Sequence, residues 1–449
     1  MDKKATLIVI VILLMGLMMG RYITQSPQLS LLLTAAIIIG LITFVRTDVA
    51  LIVLILSMLF SPELKIAEVP KRAVVVRIDD ILLFVVFFTW LAKMAINKQL
   101  GLLRHTSLNR PIVVYILVCV VSTTIGIIIG HVSLLKSSFY ILKYVEYFML
   151  FFMMTNNIRS KKQIKIFIAV FLITCALVCV YASTQIGIRY RTTAPFEGAE
   201  GEPNTLGGYL VLVFAVSLGF FLYSLNPMWR LSSGLLACFI IPPFLFSLSR
   251  GSYLAFIATY LTLIILTRKK KALLIIILVA AIFLLPALLP GRVIGRITET
   301  FIPGRVYEPL GERVALDEAA SARIEAWKTV LERWKDRPAL GYGVTGVALV
   351  DTQYTRVLGE TGIIGMFAFV WLILSIFRIG LQAFKTVEDD WSRGLSLGFL
   401  AGFVGLLIHG FSASTFVIVR IMEPFWFLAA IIVILPELGI SPQGKIQPE

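Results

Sequence analysis

The sequence predicts an all-α polytopic membrane protein, and three observations carry that expectation. Of its 449 residues, 58% are hydrophobic and only 15% are charged, with a mean hydropathy of +0.91. The apolar residues form long continuous runs, including Leu7–Met19, Leu31–Val45, Ile112–Gly130, Ile166–Val180 and Leu273–Leu289. With their flanks these runs reach the roughly 20 helical residues that cross a hydrocarbon core, and their continuity selects helices over an alternating barrel. Basic residues cluster between the runs: Lys93/Lys98/Arg104/Arg110, Arg159/Lys161/Lys162/Lys165 and Arg268/Lys269/Lys270/Lys271. Such clusters mark cytoplasmic loops facing anionic lipid. They account for the net charge of +15 without a nucleic-acid partner.

Taken in order, the first run follows Lys3 and Lys4 and lacks a small-residue cleavage site, so it reads as an uncleaved span rather than a signal peptide. About fourteen spans are expected, at 6–20, 28–45, 48–60, 80–96, 111–130, 138–155, 163–183, 206–225, 232–248, 251–267, 272–290, 356–379, 393–412 and 416–436. The third is short, and because the number of spans is expected to be even, 12 is the lower count. Charge asymmetry places both termini in the cytoplasm and three long connections, 61–79, 184–205 and 291–355, on the other side. The last connection carries 9 basic and 9 acidic residues. Ile324, Trp327, Val330, Leu331 and Trp334 follow helical spacing within it, with Asp317 as a cap and Pro338, Gly341 and Gly343 at its end. The expected organisation is therefore N-terminal membrane helices 1–183, central helices 184–290 with an arginine-bearing loop, a partly helical loop 291–355, C-terminal helices 356–436 and a tail 437–449.

The four cysteines fall in apolar runs without metal-ligand spacing and read as packing residues. Lys143/Glu146 and Arg420/Glu423 read as internal pairs. Polar chemistry collects instead at span ends on the outer side. Arg189 and Arg191 precede a Pro203–Asn204 turn; Arg250 sits in the short hairpin SLSRGS, where it has little freedom to snorkel; Arg323 lies on the amphipathic helix. The stretch DTQYTRVLGETG adds Asp351, Gln353, Tyr354, Arg356 and Glu360, the last also readable as an i, i+4 partner of Arg356. Several guanidinium forks on one face suit phosphate or diphosphate oxygens. The outer face shows no acidic cluster resembling a metal cage, so neither a metal nor another cofactor is expected, and arginine would stabilise the leaving group.

These motifs, in this order, resemble the bacterial O-antigen ligase and O-antigen polymerase family. The matching pieces are Pro203–Asn204, Ser249–Arg250–Gly251, Arg323–Trp327, Asp336–Pro338–Gly341–Gly343, Asp351–Gln353–Tyr354 and Glu360–Gly362–Gly365, with RIDD (Arg77–Asp80) and LKYVEYF (Leu142–Phe148) matching more diffusely. The resemblance implies a GT-C-like fold in the bacterial inner membrane and a reaction on its periplasmic side. An acceptor sugar hydroxyl attacks the anomeric carbon of a polyprenyl-diphosphate-linked oligosaccharide, and polyprenyl diphosphate leaves. The acceptor is a lipid-linked repeat unit for a polymerase and lipid A–core for a ligase; membrane lipid and a chain-length regulator are the further partners. By the same resemblance Arg191 and Arg250 hold the diphosphate, assisted by Arg189 or Arg323, while Asn204, Gln353 and Tyr354 position substrate. The family's usual histidine before E-T-G is replaced by Asp351 here. His105, His131 and His409 lie elsewhere in the sequence. Asp351 is the favoured base and Glu360 its rival, a departure that tilts the reading towards a polymerase. The reading from another class is a lipid-linked-sugar or organic-anion transporter, which would place charge near the midplane and show paired repeats.

Overall fold

The computed structural model describes residues 37–69, 72–98, 103–197, 201–299, 305–307, 314–316, 318–347 and 351–439. The first expected span lies outside these residues, as does half of the second, of which 37–45 is helical. The expected cap Asp317 and both termini also fall outside them. Each of the other twelve expected spans coincides with a helix: α1 (Thr47–Phe60), α2 (Ile78–Ile96), α3 (Asn109–Ile128), α4 (Leu134–Asn157), α5 (Lys161–Thr184), α6 (Pro203–Tyr223), α7 (Pro227–Phe246), α8 (Arg250–Leu266), α9 (Lys271–Leu288), α12 (Gln353–Thr386), α13 (Asp390–His409) and α14 (Val419–Ile434). Between α9 and α12 lie α10 (Gly291–Thr298) and α11 (Glu318–Asp336). Among the described residues six helices, α3, α5, α6, α7, α12 and α13, are long and apolar enough to cross a membrane, and shorter apolar helices lie at 47–60, 250–266 and 271–284. The chain is a multi-pass membrane protein.

Strands appear where an all-helical chain was expected, as two short ladders: Glu63–Val69 with Arg72–Arg77, and Arg305–Tyr307 with Val314–Leu316. In the first, β-branched Val74, Val75 and Val76 favour the extended backbone. The second is antiparallel, pairing Val306 with Ala315.

Packing divides the chain into two units. The first comprises 1–54 and 64–103. Its RIDD motif is a helix start: the Arg77 backbone N–H donates to Asp80 Oδ2 at 3.0 Å, while the Arg77 guanidinium meets Asp79 at 2.7 Å. Acidic side chains at a helix N-terminus offset the dipole, and Lys93 near the far end donates to Thr47 Oγ1 at 3.2 Å.

The second unit, 55–63 and 104–449, is organised around α6, of which 94% of an 18-residue window is buried. Small residues allow that enclosure. A Cβ at Gly219 would lie 2.2 Å from the Gly394 carbonyl, and one at Gly398 would lie 2.5 Å from Val216 Cα, so α6 and α13 pack backbone to backbone. Large aromatics fill the remainder, with Phe399, Phe403, Phe416 and Phe425 in mutual contact and Trp426 against Phe148 and Phe151.

The helix ends of this unit differ sharply. Where α5 and α13 begin, Lys161 meets Asp389 at 2.9 Å and Lys269 meets Asp390 at 2.6 Å. Lys165 lies over the Trp391 ring at 5.7 Å. At the other end, the starts of α6, α8 and α12 gather with the ends of α7 and α13.

Candidate functional site

The C-terminal end of α7 presents carbonyls that no further turn can satisfy, and the loop following α5 answers them. Thr192 donates through its backbone N–H to Phe246 O at 2.9 Å and through Oγ1 to Pro243 O at 2.7 Å. Gln185 closes this loop, donating to Thr193 O at 3.1 Å and accepting from Thr193 N at 3.0 Å. The clamp delivers Arg191 to the hairpin: Nε donates to Ser247 O at 2.8 Å and Nη2 to Leu248 O at 3.3 Å. Leu248 has a positive φ of 51°, the sharp turn that lets α8 begin at once with Ser249 as cap and Arg250 as its first residue.

A third guanidinium reaches the same turn. Arg296 on α10 donates through Nε to Leu248 O at 3.4 Å and pairs with Glu299 at 2.6 Å. Burial, then the charges of Arg296 and Arg250, hold the Arg191 guanidinium below its usual range. Arg191, Arg250 and Arg296 therefore share one electrostatic environment, which a bound anion would relieve.

Behind the turn runs a chain of polar side chains. Ser249 Oγ donates to Asn204 Oδ1 at 2.8 Å and Ser252 Oγ donates to Ser249 Oγ at 2.7 Å. Ser252 Oγ lies 3.2 Å from His409 Nε2, and His409 Nδ1 lies 2.8 Å from Thr415 Oγ1. At the same end, Gln353 donates its backbone N–H to Gly410 O at 2.9 Å and accepts from Phe416 N at 3.0 Å, while Tyr354 Oη donates to Leu407 O at 2.6 Å. Asn204, Gln353 and Tyr354 thus join the ends of α6, α12 and α13 near the arginine turn.

Glu360 has a different setting. Its Oε1 accepts from Arg356 Nε at 3.1 Å and from Thr345 N at 2.9 Å, and its side chain is 4% exposed. Its carbonyl accepts from Ser122 Oγ at 2.7 Å and Gly343 N at 2.8 Å. Two residues on, Gly362 interrupts α12 with φ of 65°. A Cβ there would lie 2.3 Å from Ala339 O, so only glycine permits the 338–345 turn to dock. The E-T-G motif is a joint between α12, that turn and α3, and Glu360 is its buried ion pair.

Asp351 is exposed just before the α12 cap and makes no ion pair among the described residues. Arg323 is half-buried on α11, seven residues before Val330, hence on the face that packs with Ala326, Trp327, Tyr342 and Val347. Arg189 is exposed, and its backbone N–H donates to Gln185 O at 2.9 Å. The neighbours that depress Arg191 include Arg250 and Arg296, not Arg189. Among the described residues, no group of three or more His, Cys, Asp or Glu side chains is placed to hold a metal ion.

Arg296 and Glu197 are absent from the sequence reading, and His409 enters it only as a histidine that does not replace the one expected before E-T-G. Arg296 gave no signal beyond being one of several basic residues in a long loop, and His409 only that of a polar residue ending an apolar run. Glu197 lies on the Arg191 loop with a side chain 3% exposed, meets Arg420 at 3.6 Å and accepts from Ala194 N at 3.1 Å and Glu202 N at 3.0 Å. Of the pairs read from sequence, Lys143 meets Glu146 at 3.6 Å. Arg420 also donates to Pro195 O at 2.7 Å, which ties α14 to the Arg191 loop.

Residues 243–370 match the family model described as O-antigen ligase. That stretch contains Arg250, Arg296, Arg323, Asp351, Gln353, Tyr354 and Glu360; Arg189, Arg191, Asn204 and His409 lie outside it. No curated protein matches the chain with significance. Over residues 243–370 the chain is therefore similar to the O-antigen ligase family.

Proposed function

We propose that the protein is a GT-C-like glycosyltransferase of the bacterial inner membrane, with its site on the periplasmic side and its termini in the cytoplasm. Fourteen spans are the count that gives this topology. It transfers a glycan from a polyprenyl-diphosphate carrier to an acceptor sugar hydroxyl. The observation that carries this reading is the convergence of Arg191, Arg250 and Arg296 on the turn at Leu248, with the first held low by burial and then by the other two. A diphosphate placed there relieves mutual repulsion, and forked donors stabilise the charge that grows on it as the glycosidic bond breaks. Arginine supplies this stabilisation in place of a divalent ion. Arg189 and Arg323 assist from the rim, and Asn204, Gln353 and Tyr354 shape the substrate-facing wall.

Asp351 is the base. It is exposed and carries no ion pair among the described residues, so a carboxylate is available for the acceptor hydroxyl's proton, whereas Glu360 is committed to Arg356 and the Thr345 N–H. The bond formed joins the acceptor oxygen to the anomeric carbon; the bond broken joins that carbon to the diphosphate oxygen, which leaves with the electron pair.

Polymerase is favoured over ligase because an aspartate stands where ligases of the family carry histidine. Incubating purified protein with lipid-linked repeat units, with and without lipid A–core, tests this. A ladder without core supports the polymerase; transfer only with core establishes the ligase. Movement of lipid-linked sugar across the bilayer with no new glycosidic bond would replace both by transport.

A further inference from the structure

We propose that His409 is a positioning residue that locks the Asn204 amide with its N–H groups turned to the substrate diphosphate. The inference rests on the glycosyltransferase reading above. Its basis is the buried chain of hydrogen bonds that ends on Asn204 Oδ1, followed link by link from that acceptor.

A hydroxyl has one hydrogen to give. That of Ser249 goes to Asn204 Oδ1 at 2.8 Å, and that of Ser252 goes to Ser249 Oγ at 2.7 Å. Ser252 Oγ can then only accept at its 3.2 Å contact with His409, so Nε2 carries the imidazole hydrogen. In the neutral ring Nδ1 is consequently bare and accepts from Thr415 Oγ1 at 2.8 Å, the shorter of that hydroxyl's two contacts, the other being Ala413 O at 3.3 Å. Every hydrogen points one way, from Thr415 through His409, Ser252 and Ser249 to Asn204.

The consequence falls at the last link. With Oδ1 committed to Ser249, the Nδ2 amino group of Asn204 is directed away from Ser249. The adjoining turn holds Arg191 and Arg296 on Leu248 O and begins α8 with Arg250. A flipped amide would face an anion with its carbonyl oxygen and repel it. The surroundings hold the chain in place: His409 and Ser252 are fully buried. A Cβ at Gly207 would lie 2.2 Å from Ser252 Oγ, and one at Gly208 would lie 3.2 Å from His409 Cε1. One turn of α6 beyond Asn204 is therefore bare of side chains where the relay passes.

A double-mutant cycle on the purified full chain tests this, with KM for a polyprenyl-diphosphate-linked repeat unit as the readout. Asn204→Ala and His409→Leu should each raise that KM about tenfold, the worth of one hydrogen bond to a charged group. If His409 acts through Asn204, His409→Leu adds nothing in the Asn204→Ala background. Multiplying effects would overturn the proposal, because a merely structural histidine acts in either background. Should His409→Leu fail to fold, Thr415→Val, which removes only the hydroxyl, takes its place in the same cycle. Arg250→Ala is run alongside. Loss of turnover there with an independent His409 overturns this inference alone; wild-type turnover of Arg250→Ala overturns the diphosphate reading and this inference with it.

Discussion

The two ends of the helical bundle use cations in opposite ways. At one end Lys161 and Lys269 each meet an aspartate at the start of α13, at 2.9 and 2.6 Å, and Lys165 and Lys269 lie over the Trp391 and Tyr223 rings. At the other end Arg191, Arg250 and Arg296 crowd one turn; Arg296 keeps Glu299 as a partner at 2.6 Å, while burial and then the neighbouring arginine charges depress Arg191. A cation neutralised within the fold fastens helices. A group of cations that repel one another is a cost to the fold, and a recurring anionic ligand offsets that cost. The contrast separates scaffold from site better than net charge does, since both ends are basic.

The comparison breaks most visibly if the arginine end can be neutralised without loss. Arg250→Ala and Arg191→Ala should each lower glycan transfer by about 100-fold or more, the scale of removing one donor from a charge-stabilising site, while the protein remains folded. Arg→Lys should restore only part, since the fork is lost. Initial rates on lipid-linked repeat units check both.

Glu360→Gln sharpens the division between joint and site. It leaves Arg356 buried beside a neutral partner and should destabilise the fold by about 3–5 kcal/mol, read as a lower thermal midpoint in detergent. Asp351→Asn should leave that midpoint unchanged and cut the rate by about 10²–10⁴. Fold loss in Asp351→Asn with an unperturbed Glu360→Gln would reverse the two assignments.

The Arg191 loop carries a pH signature of its own. Burial pushes the Glu197 carboxyl up to about 7 from 4.5, against the opposing pull of Arg420 and the Glu202 and Ala194 N–H groups. Because the folded loop holds the proton more tightly than the open one, its stability is full below about 4.5 and falls as pH rises to about 7. The opening equilibrium read from amide exchange across 191–197, after division by the intrinsic base-catalysed rate, should rise over that window and stay level there in Glu197→Gln.

The smallest effect belongs to the paired end. The Lys161 and Asp389 side chains are 38% and 40% exposed, so Lys161→Ala should cost no more than about 1 kcal/mol and leave transfer rates intact.

Helix positions were legible in the sequence because membrane helices advertise themselves by length and apolarity: twelve expected spans each meet a helix. The arginine hairpin was legible because Arg250 is pinned by its neighbours in sequence. Glu360 was legible only as two alternatives, since i, i+4 spacing offers Arg356 as a partner but does not reveal the Thr345 N–H that completes the clamp. Arg296 and His409 were hidden for a simpler reason. Their importance comes from residues 48 and 157 positions away in the chain, at Leu248 and Ser252, and no local pattern encodes contacts of that range.

The most direct test of the arginine site is binding of inorganic pyrophosphate to the purified full chain in lipid nanodiscs, followed by titration calorimetry in the absence of divalent ions. Saturable binding should occur in the wild type, weaken at least tenfold in Arg191→Ala, Arg250→Ala and Arg296→Ala, and remain unchanged in Lys161→Ala. Equal affinity in the three arginine variants and the wild type would contradict the account.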